Sequence, residues 1–88
     1  RLTLTAQRGD TLARLLLEAG RPLEAREELE RILEGHPDFL DALASLGLAH
    51  YLSGDAAAAR EVWSRCQARR PSNARVEAYL AMARRLPS

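Results

Sequence analysis

The sequence is poor in aromatic residues and cysteine and contains no lysine. Cys66 is its only cysteine, which excludes an intrachain disulfide. No apolar run approaches the roughly 18 residues of a membrane span, which excludes a span within this segment. Alanine and leucine supply most of an apolar content of 47%. Their dominance in a chain of 88 residues predicts one small helical domain.

All 13 basic residues are arginine, a usage that we associate with GC-rich bacterial genomes. We therefore expect a bacterial source, with both the cytoplasm and the periplasm open as compartments. The chain begins at Arg1 and not at Met, so we expect a fragment or a processed product. A signal or a membrane anchor can precede such a fragment without leaving a trace in it.

The charge is balanced overall but unevenly distributed. Residues 1–44 carry six arginines and nine acids, and residues 45–88 carry seven arginines and three acids. The two halves could attract opposite partners or each other, and the alternative is uneven solvated faces. A total of +1 is too small for a nucleic-acid footprint. Helical repeats that bind RNA are an alternative because arginines cluster after residue 64, but we expect no nucleic-acid partner.

The sequence repeats itself with a period of about 34 residues, the length typical of one class of helical hairpin repeat. A shift by this length superposes several identical pairs: Leu12 on Leu46, Gly20 on Gly54, Ala25 on Ala59, Arg26 on Arg60, and Pro37 on Pro71. A second shift superposes Ala44, Leu46 and Ala49 on Ala78, Leu80 and Ala83. Such a fixed period indicates stacked helical repeats, of which the third is here incomplete.

Each repeat is predicted to be a helix, a turn and a second helix. Gly20 and Gly54 end first helices, Pro22 opens a second helix, and proline closes each unit. Asp38, Asp55 and either Ser72 or Asn73 are the predicted N-caps of the later helices. The five predicted helices span about 6–19, 22–34, 39–53, 56–69 and 74–86. The predicted division is an N-terminal extension (1–5), unit one (6–39), unit two (40–73) and a half-repeat or capping helix (74–88).

The first helix of a unit is predicted to pack closely on the second through small residues. Gly47 and Ala59 face each other in unit two, and Ala13 and Ala25 repeat the arrangement in unit one. Trp63 supplies the large apolar side chain of the second helix. With the repeat period and the closing prolines, these residues resemble the tetratricopeptide repeat. The resemblance covers about residues 6–86, and Gly9 departs from it by standing where a large apolar residue is usual.

The resemblance implies an all-α, short right-handed solenoid of antiparallel helical hairpins whose first helices line a concave surface. By analogy, that lining includes Gln7, Asp10, Asp41, Ala44 and Ala78 together with the predicted binding residues. Those binding residues are Arg14, Leu17, Glu18, Leu48, Tyr51, Leu52, Arg75, Met82 and Arg85. Their apolar members form a strip that fits an amphipathic helix or an extended peptide. The alternative is that they only pack against neighbouring units.

Some members of the family bind a C-terminal carboxylate with lysine, asparagine and arginine on successive first helices. The matching positions here are Asp10, Arg14, Ser45, Arg75 and Tyr79. Asp10 would repel a carboxylate and the asparagines are missing, so we do not expect this ligand.

The sequence therefore predicts a non-catalytic module that binds another protein, with no cofactor and no metal. We expect His36 to be exposed in a turn, His50 to be a satisfied core histidine, and Cys66 to be a buried, inert thiol. Two and a half units are few for a stable stack. The alternative is accordingly an architectural or accessory subunit of a larger complex, including one associated with a membrane, or a self-associating scaffold.

Overall fold

The structure is a computed structural model, and it describes residues 2–85. This part of the chain forms five α-helices joined by short turns: α1 (Leu4–Glu18), α2 (Pro22–Gly35), α3 (Leu40–Leu52), α4 (Ala56–Arg69) and α5 (Ala74–Arg85). The all-α expectation is confirmed, and the predicted order of helices and turns is the observed one. The predicted end of the last helix at Leu86 lies outside the described residues.

Side-chain caps begin three of the helices. The hydroxyl of Thr3 accepts a hydrogen bond from the Ala6 amide, so α1 begins at Leu4, earlier than predicted. The Asp55 carboxylate accepts from the Ala58 amide, as predicted for α4. Of the two candidates for α5, Asn73 is the cap, because its side-chain oxygen accepts from the amides of residues 75 and 76. These bonds satisfy amides that have no partner within the helix.

The predicted cap of α3 is wrong. Phe39 is the N-cap residue of α3, and no side chain bonds to the first-turn amides there. Asp38 instead forms an ion pair with Arg69, which lies one helical hairpin later, at the end of α4. A long-range partner has thus taken the carboxylate that the local pattern assigned to the helix end.

Glycine ends both first helices where the chain reverses. Gly20 has a φ of 77° and Gly54 a φ of 92°, in the left-handed region that side chains with a Cβ avoid. The amide of Arg21 donates to the Leu16 carbonyl, and the amide of Asp55 donates to the His50 carbonyl. Both turns therefore close the same way, one repeat apart.

The helices form an open stack and not a closed bundle. Helix α3 packs against each of the other four helices, whereas within residues 2–85 neither α1 nor α2 packs against α4 or α5. Each hairpin thus contacts only the next one along the chain. This nearest-neighbour packing is the defining property of a repeat solenoid.

Two buried clusters hold the stack together. The first joins α1, α2 and α3, with Leu29 fully buried at its centre. The second joins α3, α4 and α5 around Trp63, which is also fully buried. Leu43 and Leu48 of α3 pack against both clusters. Helix α3 is therefore the shared wall through which the two hairpins stabilise each other.

Glycine makes room for Trp63 in unit two. A Cβ placed on Gly47 would lie 2.6 Å from Cδ1 of the Trp63 indole, well inside contact distance. The indole Nε1 donates a 3.0 Å hydrogen bond to the Ala44 carbonyl, so the ring is held in place. Ala59 is fully buried on the facing helix α4. The small residues predicted between the two helices are thus needed to make room for the indole, which lies against Gly47.

Gly9 has a similar role in unit one. It lies within α1 and is buried, although the sequence pattern favours a large apolar residue there. A Cβ at this position would come within 2.7 Å of Cδ1 of Ile32. The missing side chain therefore lets Ile32 of α2 approach the backbone of α1.

Candidate partner-binding groove

A groove runs between α1, α3 and α5, on the side of the stack that the resemblance predicts to be concave. It encloses about 300 Å³. Its lining consists of Arg14, Leu17, Glu18, Leu48, Leu52 and Tyr79. We call these six residues the concave groove. Its walls are mainly apolar, with one positive and one negative side chain on the same edge of α1.

Five of the nine predicted binding residues line this groove: Arg14, Leu17, Glu18, Leu48 and Leu52. The other four lie elsewhere. Tyr51 and Met82 are half-buried against the Trp63 cluster, and Arg75 is half-buried, with its charge acting on the buried carboxylate of Asp10. Arg85 is exposed near the end of α5. The apolar strip predicted along three first helices is therefore shorter than expected.

Several side chains expected to line the concave surface are instead buried in the stack. Leu17 is 6% exposed and belongs to the first core cluster, so only its edge reaches the groove. Asp10 is 2% exposed and Ala44 is fully buried. Leu17 and Asp10 lie on α1 and Ala44 lies on α3, and neighbouring helices of the stack cover all three. The exposed apolar contribution to the groove comes from α3, with Leu52 at 50% exposure.

Aromatic stacking supports the wall of the groove. The ring centroid of Trp63 lies 5.2 Å from that of Tyr79 and 6.0 Å from that of Tyr51, in tilted arrangements. Such offset pairs add to the stabilisation that burial provides. The sequence pattern indicated Tyr79 only as a carboxylate-binding position, so it was missed as a groove residue.

A cluster of polar side chains from α1, α3 and α5 lies beside the groove. Oδ2 of Asp10 is 3.4 Å from Nη2 of Arg14, which itself lines the groove. Oδ1 of Asp10, Oγ of Ser45 and Nη1 of Arg75 are buried and have no hydrogen-bond partner among residues 2–85. Burial raises the pKa of Asp10, and the charge of Arg14 is the main opposing influence.

A larger hollow of about 430 Å³ lies at the turn end of the molecule. Its lining runs from Gly20 to Glu24 and includes Ser53. Residues of the turn and of the first turn of α2 line it, and Leu23 is its one large aliphatic side chain. The concave groove presents three helices with converging side chains, so it is the better candidate for recognition.

The residues considered for chemistry are not assembled into a catalytic group within residues 2–85. Cys66 is buried, as predicted, and burial raises the pKa of its thiol, which disfavours the reactive thiolate. His36 and His50 are both half-buried, so the predictions of an exposed and of a core histidine were each wrong.

No group of three or more histidine, cysteine, aspartate or glutamate side chains within residues 2–85 is placed to hold a metal ion. In the same range, none of the helices combines the length and apolar character that crossing a membrane requires.

Comparison with known proteins gives one match. No individual curated protein and no solved structure matches the chain significantly. The family model of the tetratricopeptide repeat matches residues 11–74, which is more than half of the chain. The match spans both turn glycines, the buried Trp63 and the open stacking of hairpins described above. The chain therefore belongs to the tetratricopeptide repeat family, whose members generally mediate protein–protein interactions.

Proposed function

We propose that the protein is a non-catalytic interaction module whose concave groove binds an amphipathic helix or an extended peptide of another protein. The observation that carries the proposal is the exposure of Leu52 beside Leu48 and Tyr79 in one groove. Exposed large apolar side chains that converge in a hollow gain free energy when a partner covers them. They lie on rigid helices, so binding needs little ordering of the groove.

The charges at the groove edge suit an oriented ligand. Arg14 and Glu18 are separated by one helical turn on α1 and line the same hollow. A bound helix with apolar residues at intervals of three or four would place its polar flanks along this edge. Opposite charges one turn apart favour one direction of such a helix over the other. The proposed partner thus carries two large apolar residues one turn apart, with polar residues beside them.

The test replaces Leu52 by a photo-reactive amino acid in the full chain and identifies crosslinked partners in the native source by mass spectrometry. The matched control carries the same probe at Leu23, which is 59% exposed and lies outside the groove. Crosslinks that form at position 52 and not at position 23 support the proposal. Equal crosslinking at positions 52 and 23 contradicts it.

Tyr51→Ala is a poor test of the groove, although the sequence pattern predicts Tyr51 as a contact. The Tyr51 ring packs on Trp63, so its removal disturbs the second core cluster. Leu52→Glu avoids this problem because half of the Leu52 side chain is already exposed to solvent. We expect Leu52→Glu to retain the helicity of the parent while losing its partner.

A specific feature of α1 supports the second candidate, a permanently assembled or self-associating subunit. Leu4, Leu12 and Leu15 are 59%, 47% and 57% exposed along the face of α1 that points away from α3. Size-exclusion chromatography with light scattering distinguishes the two functions. A monomer over a wide concentration range supports the binding module, and an oligomer that Leu12→Glu disperses supports the assembled subunit.

A further inference from the structure

The buried carboxylate of Asp10 has a position that neither the core nor the groove requires. It lies on α1, is 2% exposed, and is influenced by side chains of α3 and α5. Its equivalent in unit two is Ala44, which is fully buried and apolar. An unpaired carboxylate in such a place is costly, so charge partners must offset its burial.

Two arginines supply that compensation from different helices. Arg14 lies one helical turn after Asp10 on α1, with its Nη2 atom 3.4 Å from Oδ2 of Asp10. Arg75 is in the first turn of α5, and its positive charge also acts on Asp10. Nη1 of Arg75 is buried without a hydrogen-bond partner among the described residues, as is Oδ1 of Asp10. Arg14 thus pairs with the buried carboxylate directly, and Arg75 adds positive charge from α5.

Charges on α1, α3 and α5 all bear on the balance. Asp41 of α3 acts on Asp10 as a like charge, and Ser45 of the same helix supplies a hydroxyl beside it. Glu18 of α1 lines the adjoining groove. With Arg14, Arg75 and Asp10 counted, this end of the groove carries three negative and two positive side chains. Removing the charge of Asp10 leaves two negative and two positive side chains, so this end of the groove becomes neutral. The two guanidinium groups beside the groove then lack their buried counter-ion.

We propose that Asp10 is an internal counter-ion that holds Arg14 and Arg75 and so makes the concave groove reject ligands carrying a carboxylate or another anion at this point. The ligand class that follows, an apolar segment without an acidic group beside Arg14, rests on the proposed function of the groove. The pairing of Asp10 with the arginines does not rest on that function, because it concerns only the protein's own side chains. Rejection of a like charge by a fixed internal one is a form of specificity by repulsion.

The first test uses two small probes and the variant Asp10→Asn. The acidic probe is N-acetyl-Leu-Ala-Asp with a free carboxyl terminus, and its neutral control is N-acetyl-Leu-Ala-Asn amide. Binding is followed by NMR at the backbone amides and guanidinium groups of Arg14 and Arg75. We expect Asp10→Asn to bind the acidic probe at least about tenfold more tightly than the parent does, since charge-assisted bonds then become available. Affinity for the neutral probe should stay unchanged.

A double variant tests whether Arg14 is responsible for the gain in affinity for the acidic probe. Adding Arg14→Gln to Asp10→Asn should return the affinity for the acidic probe to the parent value. The proposal is overturned if the parent binds the acidic probe as tightly as Asp10→Asn does. It is also overturned if the gain persists when Arg14 is replaced.

A second measurement needs no substitution at Asp10 and so remains decisive if Asp10→Asn fails to fold. A sulfonate stays ionised under mildly acidic conditions, so N-acetyl-leucyl-taurine can be titrated into the parent protein as the pH is lowered. Protonation of Asp10 then frees both arginines, and we expect sulfonate affinity to rise. The same titration of Arg14→Gln, which shares the general gain of positive charge, should show a smaller rise. An equal rise in both proteins refutes the internal counter-ion.

The two proposals fail separately. Loss of partner crosslinks at Leu52 would remove the groove as a peptide site while leaving the probe measurements intact. An unchanged probe affinity in Asp10→Asn would remove the counter-ion while leaving the crosslinks intact.

Discussion

Residues 29 and 63 occupy equivalent places in the two units, yet Leu29 fills the place in unit one and Trp63 fills it in unit two. Both side chains are fully buried. The larger ring comes with Gly47 on the facing helix, where unit one has Ala13. One backbone arrangement is thus packed in two ways, with the volume added on one helix removed from the other. The comparison indicates that core residues are matched in pairs across a hairpin.

A second difference concerns residues that are identical in the two units. Leu12 and Leu46 are one repeat apart, but Leu12 is 47% exposed and Leu46 is 8% exposed. The preceding hairpin covers Leu46, whereas no described hairpin precedes Leu12, and about half of Leu12 stays exposed. The equivalent Leu80 of α5 is again buried, at 7% exposure. Burial at this position is therefore set by the neighbouring unit and not by the residue itself.

The two ends of the stack differ for the same reason. On α5, the face that a second helix would cover carries Glu77, Ala81 and Arg84. The glutamate and the arginine of this set are exposed. A polar outer face is typical of a terminal helix that meets water. Helix α1 presents leucines at its own outer face, so the amino-terminal end of the described stack lacks this adaptation.

The strongest test of the matched pairs is Gly47→Ala. The added Cβ overlaps the indole of Trp63, so the ring must leave its buried place and its bond to the Ala44 carbonyl. We expect the free energy of unfolding to fall by about 3 kcal/mol, close to the cost of removing a buried Trp and reduced by the better helix propensity of alanine. Chemical denaturation followed by circular dichroism measures this loss.

Two controls show whether the loss comes from the pairing. In the background Trp63→Leu, which copies unit one, Gly47→Ala should cost less than about 1 kcal/mol, because the two changes are coupled. Gly9→Ala should also cost only about 1 kcal/mol, because the flexible end of Ile32 can move aside. An equal cost of Gly47→Ala in both backgrounds would show that the indole is not its cause.

The next largest effect separates the two equivalent leucines. Leu46→Ala should lower the free energy of unfolding by about 2 kcal/mol, because it leaves a cavity between α2 and α3. Leu12→Ala should change it by less than about 0.5 kcal/mol, since the side chain is already half in solvent. The same denaturation experiment on both variants gives the comparison. Equal losses would show that something covers Leu12 in solution.

The repeat pattern was sufficient to predict the helices, the turns and most caps, because these depend on residues close in sequence. Asp55 and Asn73 cap as predicted, and both turn glycines have the expected conformation. Asp38 does not cap, because Arg69 approaches it only once the stack has formed. The local sequence does not show that Arg69 lies close to Asp38 in the fold. The resulting ion pair competes with the cap for the Asp38 carboxylate.

The groove was predicted less completely than the helices. Helical spacing assigns Leu17 and Asp10 to the concave side, but it does not show how closely α3 approaches α1. Both side chains are consequently buried at that contact. Tyr79 was missed as a groove residue because its position depends on the stacking of its ring on Trp63, which belongs to the preceding helix. The side chains that could be placed from spacing alone were those with no neighbouring helix above them, such as Leu52.

A smaller effect is expected where the two second helices begin. Asp55 caps α4 with its carboxylate, whereas the equivalent Arg21 precedes Pro22 and makes no capping bond. Asp55→Ala should therefore cost about 1 kcal/mol of unfolding free energy. Arg21→Ala should cost less than about 0.5 kcal/mol, because it removes only an exposed ion pair with Glu24. Thermal unfolding of the two variants measures the difference, and similar losses would contradict the assigned cap.

The smallest effect concerns Asp10 and its apolar equivalent in unit two, Ala44. Burial raises the pKa of Asp10 in the folded protein above its ordinary value of 3.8, with partial opposition from Arg14 and Arg75. The folded state then holds this proton at a pH where the unfolded chain has lost it, so the contribution of Asp10 to stability falls as pH rises through the raised pKa. Asp10→Asn lacks this titration. The difference in unfolding free energy, parent minus variant, should therefore decrease from mildly acidic to neutral pH, and a difference that increases over this interval would mean that the arginines outweigh the burial.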